Sequence, residues 1–171
     1  MRLFLLILQP KILRAGYVSR FLLVSKSKSV SRKEIPLSMR RINEIFYSLQ
    51  GEGYHTGMPA VFVRFSGCNL RCSFCDTRHE EGTWMSDEDI VMEVIKYPAR
   101  VVILTGGEPG LWIDERLVDA LHHEGKYVCI ETNGTCLLPE NIDWVTCSPK
   151  EGAELKLDRM DEVKVVYVGQ D

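Results

Sequence analysis

The chain lacks an apolar run that could span a bilayer. The nearest candidate, MRLFLLILQP at the N-terminus, is ended by Gln9, Pro10 and Lys11. That is far short of the about 20 residues a membrane helix needs. No small-residue cleavage site of the A-x-A kind follows it, which argues against a secretory signal. A dominant charge is missing too: 21 Lys and Arg face 24 Asp and Glu, a formal net charge of -3. Neither a membrane nor a nucleic acid is therefore an expected partner. There is no internal repeat, and no low-complexity tract beyond a Ser/Lys-rich arm. The 171 residues suffice for one domain with a real core and are too few for two ordinary ones.

The balanced total hides an asymmetry. Residues 1–41 hold ten Lys or Arg and one acid, Glu34, so the remainder is strongly acidic. The stretch SRFLLVSKSKSVSRK has the composition of a transit peptide, a basic arm or a membrane-surface helix. Met39 stands directly before the first well-organised segment, RRINEIFYSLQGEG. The expected division is thus a basic extension over 1–38, disordered or spurious, and a working core over 39–171.

From Met39 onward, strand-like and helix-like segments alternate. AVFVRF (60–65), VVILT (101–105), YVCIET (127–132), WVTCS (144–148) and EVKVVYV (162–168) read as strands. SDEDIVMEVIKY (86–97) opens with Ser86 and Asp89 in capping-box spacing, and Ile90, Val94 and Ile95 follow a helical period. IDERLVDALHHEG (113–125) places Leu117, Val118 and Leu121 on one face, with Gly125 as its stop. This order predicts an α/β fold with a parallel sheet and right-handed crossovers. Polar motifs follow four strands, at Cys68, Gly106, Asn133 and Lys150. Active-site groups of a parallel barrel gather at strand carboxyl ends, so one shared site is expected.

The six cysteines are unevenly spread: Cys68, Cys72 and Cys75 fall within eight residues, while Cys129, Cys136 and Cys147 are scattered. A secreted disulfide scaffold would be shorter and more evenly cross-linked. The triplet therefore reads as a metal or cluster site in a reducing, cytoplasmic setting. Iron–sulfur clusters usually take four Cys thiolates. GCNLRCSFCDT supplies three, as C-x3-C-x2-C, which would leave one iron of a [4Fe-4S] cubane open to another ligand. Zinc is the alternative, closed by Cys129, Cys136, Cys147, His55 or His79, but structural zinc favours two paired knuckles and there is no second pair. A redox pair at Cys72 and Cys75 would leave Cys68 idle.

The triad followed by a strand ending in GGEP resembles the radical S-adenosylmethionine (SAM) superfamily. That resemblance implies an incomplete parallel β/α barrel in which the open iron chelates SAM and one electron from the cluster generates a 5'-deoxyadenosyl radical. EIFYSLQGEGYHTGMPAVFVRFSGCNLRCSFCDT, LTGGEP, ETNGT and SPK, in order over about residues 40–150, resemble one family more narrowly: 7-carboxy-7-deazaguanine synthase, of queuosine and deazapurine biosynthesis. The resemblance implies a homodimeric lyase converting 6-carboxy-5,6,7,8-tetrahydropterin to 7-carboxy-7-deazaguanine with loss of ammonia. Mg2+ would order the substrate, and a flavodoxin or ferredoxin-type protein would supply the electron.

Carried over by position, Leu49, Gln50, Gly51, Arg64 and Thr105 would bind the pterin, and Thr77 would ligate magnesium. Phe74, Cys75, Asp76, Gly107, Ser148, Pro149 and Lys150 would hold SAM. Glu131, Thr132 and Asn133 follow a strand as SAM-side neighbours without an assigned role. Outside the family these positions would be ordinary: a Gly-rich turn at 50–53, a strand Arg, a core Phe, a Ser-Pro-Lys turn. The departure is at the end. The chain stops at Asp171, where the family continues through a further strand and helix, so a C-terminally truncated barrel with an open strand edge is expected. A glycyl-radical activating enzyme, which shares the triad, and an inactive cluster-binding fragment are the other readings.

Overall fold

The computed structural model describes residues 4–8, 39–75, 77, 78 and 80–167. Among these residues eight strands form one sheet: β1 (Phe4–Leu8), β2 (Met39–Leu49), β3 (Pro59–Phe65), β4 (Thr83–Ser86), β5 (Val101–Gly106), β6 (Tyr127–Thr132), β7 (Trp144–Cys147) and β8 (Glu162–Tyr167). Two helices, α1 (Asp87–Val94) and α2 (Glu115–His123), and a 3-10 turn at Pro109–Leu111 are the other elements among the described residues. The spatial order is β1-β8-β7-β6-β5-β3-β2-β4. β3, β5, β6, β7 and β8 pair in parallel, while β2 and β4 continue the sheet antiparallel on one side and β1 on the other. Among the described residues the sheet is open, so the architecture is the incomplete barrel that the radical SAM resemblance implies. None of the described helices is long and apolar enough to cross a membrane.

The extension assigned to 1–38 lies mostly outside the described residues. Its described part, residues 4–8, forms β1, which lies along the edge of β8 with Phe4 opposite Tyr167 and Leu8 opposite Val163.

The period-2 alternation of the strands separates two faces. Val61, Val63, Phe65, Val102, Leu104, Val128 and Ile130 face the helices and pack with Ile90, Val94, Leu117, Val118 and Leu121. Each such fully buried side chain contributes about 1.5–3 kcal/mol relative to exposure. The helices begin where the residues specify. Ser86 accepts from the Asp89 N–H at 3.1 Å, and Asp89 accepts from the Ser86 N–H at 3.3 Å, a complete capping box. Asp114 caps α2 by accepting from the Leu117 N–H at 3.2 Å. Gly125, at φ +71°, follows the end of α2.

The other face is apolar at its base, where Ala60, Phe62, Val101, Ile103 and Cys129 pack with Phe46, Tyr127 and Trp144. The 50–58 loop lies across it. Tyr54 stacks on Trp144 with ring centroids 4.8 Å apart, and His55 meets the same ring edge-on. Gly53, at φ +75°, passes so close to Glu162 that a Cβ there would overlap the carboxylate.

Arg40, counted with the basic segment in the sequence, is a core residue. Its guanidinium donates to both Asp87 oxygens, at 2.7 and 3.1 Å, and to Asp114 at 2.8 Å. It thereby ties β2 to the first turns of both helices. Removing one partner of a buried ion pair leaves uncompensated charge, so Arg40→Leu is expected to cost about 3 kcal/mol. Leu137→Ala, at a side chain exposed to 72%, should stay within about 0.5 kcal/mol. Urea unfolding of the two variants checks this; equal midpoints would contradict it.

Candidate active site

The four polar motifs meet at the carboxyl end of the parallel strands. Gly107 N–H donates to the Phe65 carbonyl at 3.0 Å, and Glu108 N–H to the Gly67 carbonyl at 2.9 Å, so the turn after β5 is bonded to the start of the cysteine loop. A Cβ at Gly107 would overlap the Gly67 carbonyl, so this close approach requires glycine. Glu108 is fully buried. Its carboxylate accepts from Gly110 N–H (2.8 Å), the Thr132 hydroxyl (2.7 Å) and Asn133 N–H (2.7 Å), joining the ends of β5 and β6. Burial holds the Glu108 carboxyl above its ordinary range, against the opposing pull of these three donors. Ser148 N–H donates to the Thr132 carbonyl at 2.7 Å, which brings in the end of β7.

All six cysteines are free thiols; Cys68 and Cys72 are half-buried and Cys75 is exposed. A turn bonds Cys75 N–H to the Cys72 carbonyl at 3.1 Å. Burial pushes the Cys68 thiol up, and the Leu70 N–H, 3.4 Å from its sulfur, opposes that. Among the described residues no three His, Cys, Asp or Glu side chains converge on one ion. A cubane asks for something else, because its thiolates bind separate irons. Three free thiols on a short loop at a glycine-lined strand end suit that requirement. Cys129 lies in the buried base of the inner face, on β6. His79 and Asp76, an expected SAM contact, lie outside the described residues.

The expected SAM residues are adjacent. Lys150 donates to the Ser148 hydroxyl at 2.6 Å and stands 5.7 Å above the Phe74 ring. Burial lowers the Lys150 amine from its ordinary value; negative charge on nearby Cys72 opposes that lowering, and the Lys164 ammonium adds to it. Pro149 lies between them, half-buried.

Comparison with known proteins gives this arrangement a family. Residues 62–168 match the Radical SAM superfamily. The chain is 76% identical over 133 residues to the 7-carboxy-7-deazaguanine synthase of Bacteroides thetaiotaomicron, a match covering 78% of this chain and 73% of that protein. The chain belongs to the 7-carboxy-7-deazaguanine synthase family. A relative of the same name from Bradyrhizobium diazoefficiens is 41% identical over 148 residues, with 74% of this chain and 70% of that one covered. The crystal structure of QueE from Escherichia coli is similar at a TM-score of 0.61 and 36% identity, covering 68% of this chain and 62% of that one.

In this member of the 7-carboxy-7-deazaguanine synthase family, the inner face above the apolar base is polar. Glu131 on β6 is its centre. Gln50 Nε2 and the Thr105 hydroxyl both donate to the Glu131 carboxylate at 3.0 Å, so two expected substrate residues converge there. Lys164 on β8 lies 3.3 Å from Glu131 and 3.1 Å from Glu52. Burial lowers the Lys164 amine, but the two carboxylates outweigh it and hold it above its ordinary value. Lys164 therefore remains an ammonium that clamps the 50–58 loop to the sheet.

Arg64 and Thr77 share a second place. With Asn43, Glu44, Arg78 and Glu81 they line an open hollow of about 320 Å³. A bulge in β2 between Ile42 and Glu44 lets Asn43 donate to the Arg78 and Glu81 carbonyls, at 3.0 and 3.2 Å, which shapes that hollow. Arg64 donates to Glu44 at 2.7 Å. Leu49 is 61% exposed and Gly51 has open space around it, so neither joins the Glu131 group.

Lys164 and Glu52 were not singled out from sequence, and Glu131 had no assigned role. The signal was present: Glu131 and Lys164 are charged residues within strands made mostly of apolar residues.

Two outcomes follow for the full chain. Cys129 is buried and its thiol is pushed up to about 12, chiefly by burial, so alkylation at pH 8 should label exposed Cys75 and spare Cys129. Mass spectrometry of peptides reads this, and equal labelling would contradict it. Lys164→Met removes the cation shared by Glu131 and half-exposed Glu52, and with it the tie between the 50–58 loop and β8. Amide exchange over residues 50–57 should accelerate at least about tenfold, and unchanged exchange would show that the clamp does not hold the loop.

Proposed function

We propose that this chain is a radical SAM lyase that converts 6-carboxy-5,6,7,8-tetrahydropterin to 7-carboxy-7-deazaguanine with loss of ammonia, in queuosine biosynthesis. The observation that carries this reading is the meeting of the Cys68–Cys75 loop, the Gly107 turn and Lys150 at one strand end, with the Glu131 group on the inner face of the same sheet. When bound, a [4Fe-4S] cluster on Cys68, Cys72 and Cys75 and its SAM supply the hydrogen-abstracting radical.

The protein's own residues bind, orient and shield. Gln50 and Thr105 present polar groups to the pterin beside Glu131, whose carboxylate can accept from N–H groups of a heterocycle. Arg64 takes the substrate carboxylate, and Thr77 offers magnesium a hard hydroxyl oxygen. The Arg64–Glu44 pair is no obstacle to the first role. Its side chains are 26% and 50% exposed, and such a pair is worth only about 0–1 kcal/mol. A substrate carboxylate can therefore replace Glu44. Phe74, Gly107, Ser148, Pro149 and Lys150 shape the SAM side, joined by Asp76. Leu49 and Gly51 border the pterin where the 50–58 loop begins. The working form is a homodimer in a reducing cytoplasm, where free thiols persist, and a flavodoxin or ferredoxin-type protein reduces it.

The test is anaerobic reconstitution of the full chain. About four iron and four sulfide per chain are expected, falling sharply when Cys68, Cys72 or Cys75 becomes Ala. With SAM, reductant, Mg2+ and the carboxylated tetrahydropterin, the products should be 7-carboxy-7-deazaguanine and ammonia. SAM cleavage without any deazapurine would sink the proposal. Arg64→Met removes a charge-assisted pair worth about 1.5–3 kcal/mol, so kcat/KM should fall roughly tenfold to a hundredfold.

A further inference from the structure

Asn133 stands at the end of β6, 6% exposed. Its backbone is fixed by the 2.7 Å bond from its N–H to buried Glu108. Its Oδ1 accepts from the Thr135 N–H at 2.9 Å and from the Thr135 hydroxyl at 2.7 Å. A backbone N–H can only donate, so this contact decides which end of the carboxamide is oxygen. Nδ2 then faces the cysteine loop. It donates to Asn69 Oδ1 at 3.1 Å and lies within hydrogen-bonding range of Cys68 Sγ, at 3.9 Å. Asn69 Nδ2 in turn donates to the Thr135 hydroxyl at 2.7 Å. The three side chains form a closed ring in which each donor points one way, and the ring leaves one Asn133 N–H for the sulfur.

The surroundings of the three thiols therefore differ. Cys68 receives the Leu70 N–H and the Asn133 carboxamide, Cys72 lies near the Lys150 ammonium, and Cys75 is exposed. Hydrogen bonds to its sulfurs are one of the means by which a protein sets a cluster's reduction potential. One-electron reduction adds negative charge to the cluster and its thiolates, and an N–H donor stabilises the more negative state. Such a donor raises the potential.

We propose that Asn133 is a positioning residue that tunes the cluster, donating a hydrogen bond to the Cys68 thiolate and raising its reduction potential. The inference rests on the cluster reading above and goes beyond it, by assigning a redox role to a residue that ligates nothing.

The experiment uses the full chain, reconstituted anaerobically, with iron and sulfide measured first. An EPR-monitored redox titration without SAM then gives the midpoint potential of the native protein, Asn133→Ala and Asn133→Asp. The Asp variant keeps the oxygen that Thr135 needs and replaces the donor with an anion. Both variants should shift negative, Asn133→Asp further. Its shift should reach at least a tenfold change in the one-electron equilibrium, about 59 mV. A merely loosened fold would admit water, which stabilises the reduced state and moves the potential the other way. If Asn133→Asp holds no cluster, Asn133→Ala decides. An unchanged or positive potential in a fully loaded variant overturns this inference and leaves the cluster reading standing. A native chain that takes up no iron and sulfide overturns both.

Discussion

Glu108 is a carboxylate with no access to water, placed where two parallel strands end. Leaving it there without partners would be costly. Its three accepted hydrogen bonds come from Gly110, Thr132 and Asn133, and its own N–H reaches Gly67. Satisfying this one group fixes the relative positions of the turn after β5, the end of β6 and the loop that carries the cysteines. The sheet provides the strand ends; Glu108 sets how their loops meet.

The inner face follows the same logic with charges. Parallel strands buried on both faces are normally apolar throughout. Here Glu131 and Lys164 occupy inward positions and are paired, with Gln50, Glu52 and Thr105 completing the set. These groups come from β5, β6, β8 and the 50–58 loop, so they hold the loop across the opening of the barrel. Under the proposed function, clamp and substrate wall are the same residues, and this wall faces the pterin, a heterocycle rich in N–H donors.

What the sequence revealed was what local chemistry dictates. VVILT followed by Gly-Gly had to be a buried strand and a close turn, and Ser86 with Asp89 had to start a helix; both do. The triad and the strand-end position of SPK were equally legible. Tertiary partners were not. Arg40 reads as one more cation of a basic segment until Asp87 and Asp114, 47 and 74 residues away, are brought to it. The four-residue strand β4 is held by pairing with β2 rather than by its own pattern, since Thr83 and Trp84 are exposed. The ring of Asn69, Asn133 and Thr135 spans 66 positions and has no sequence signature at all.

Under the proposed function, the loops at four strand ends form one site around a cubane held by three thiolates, with its fourth iron open to SAM. Mössbauer spectroscopy of the reconstituted, iron-57-labelled full chain tests this most directly. On adding SAM, about one iron in four should change its isomer shift while the others keep theirs. Spectra that SAM leaves untouched, in a chain carrying its full iron, would show that no iron of the cluster is open to SAM.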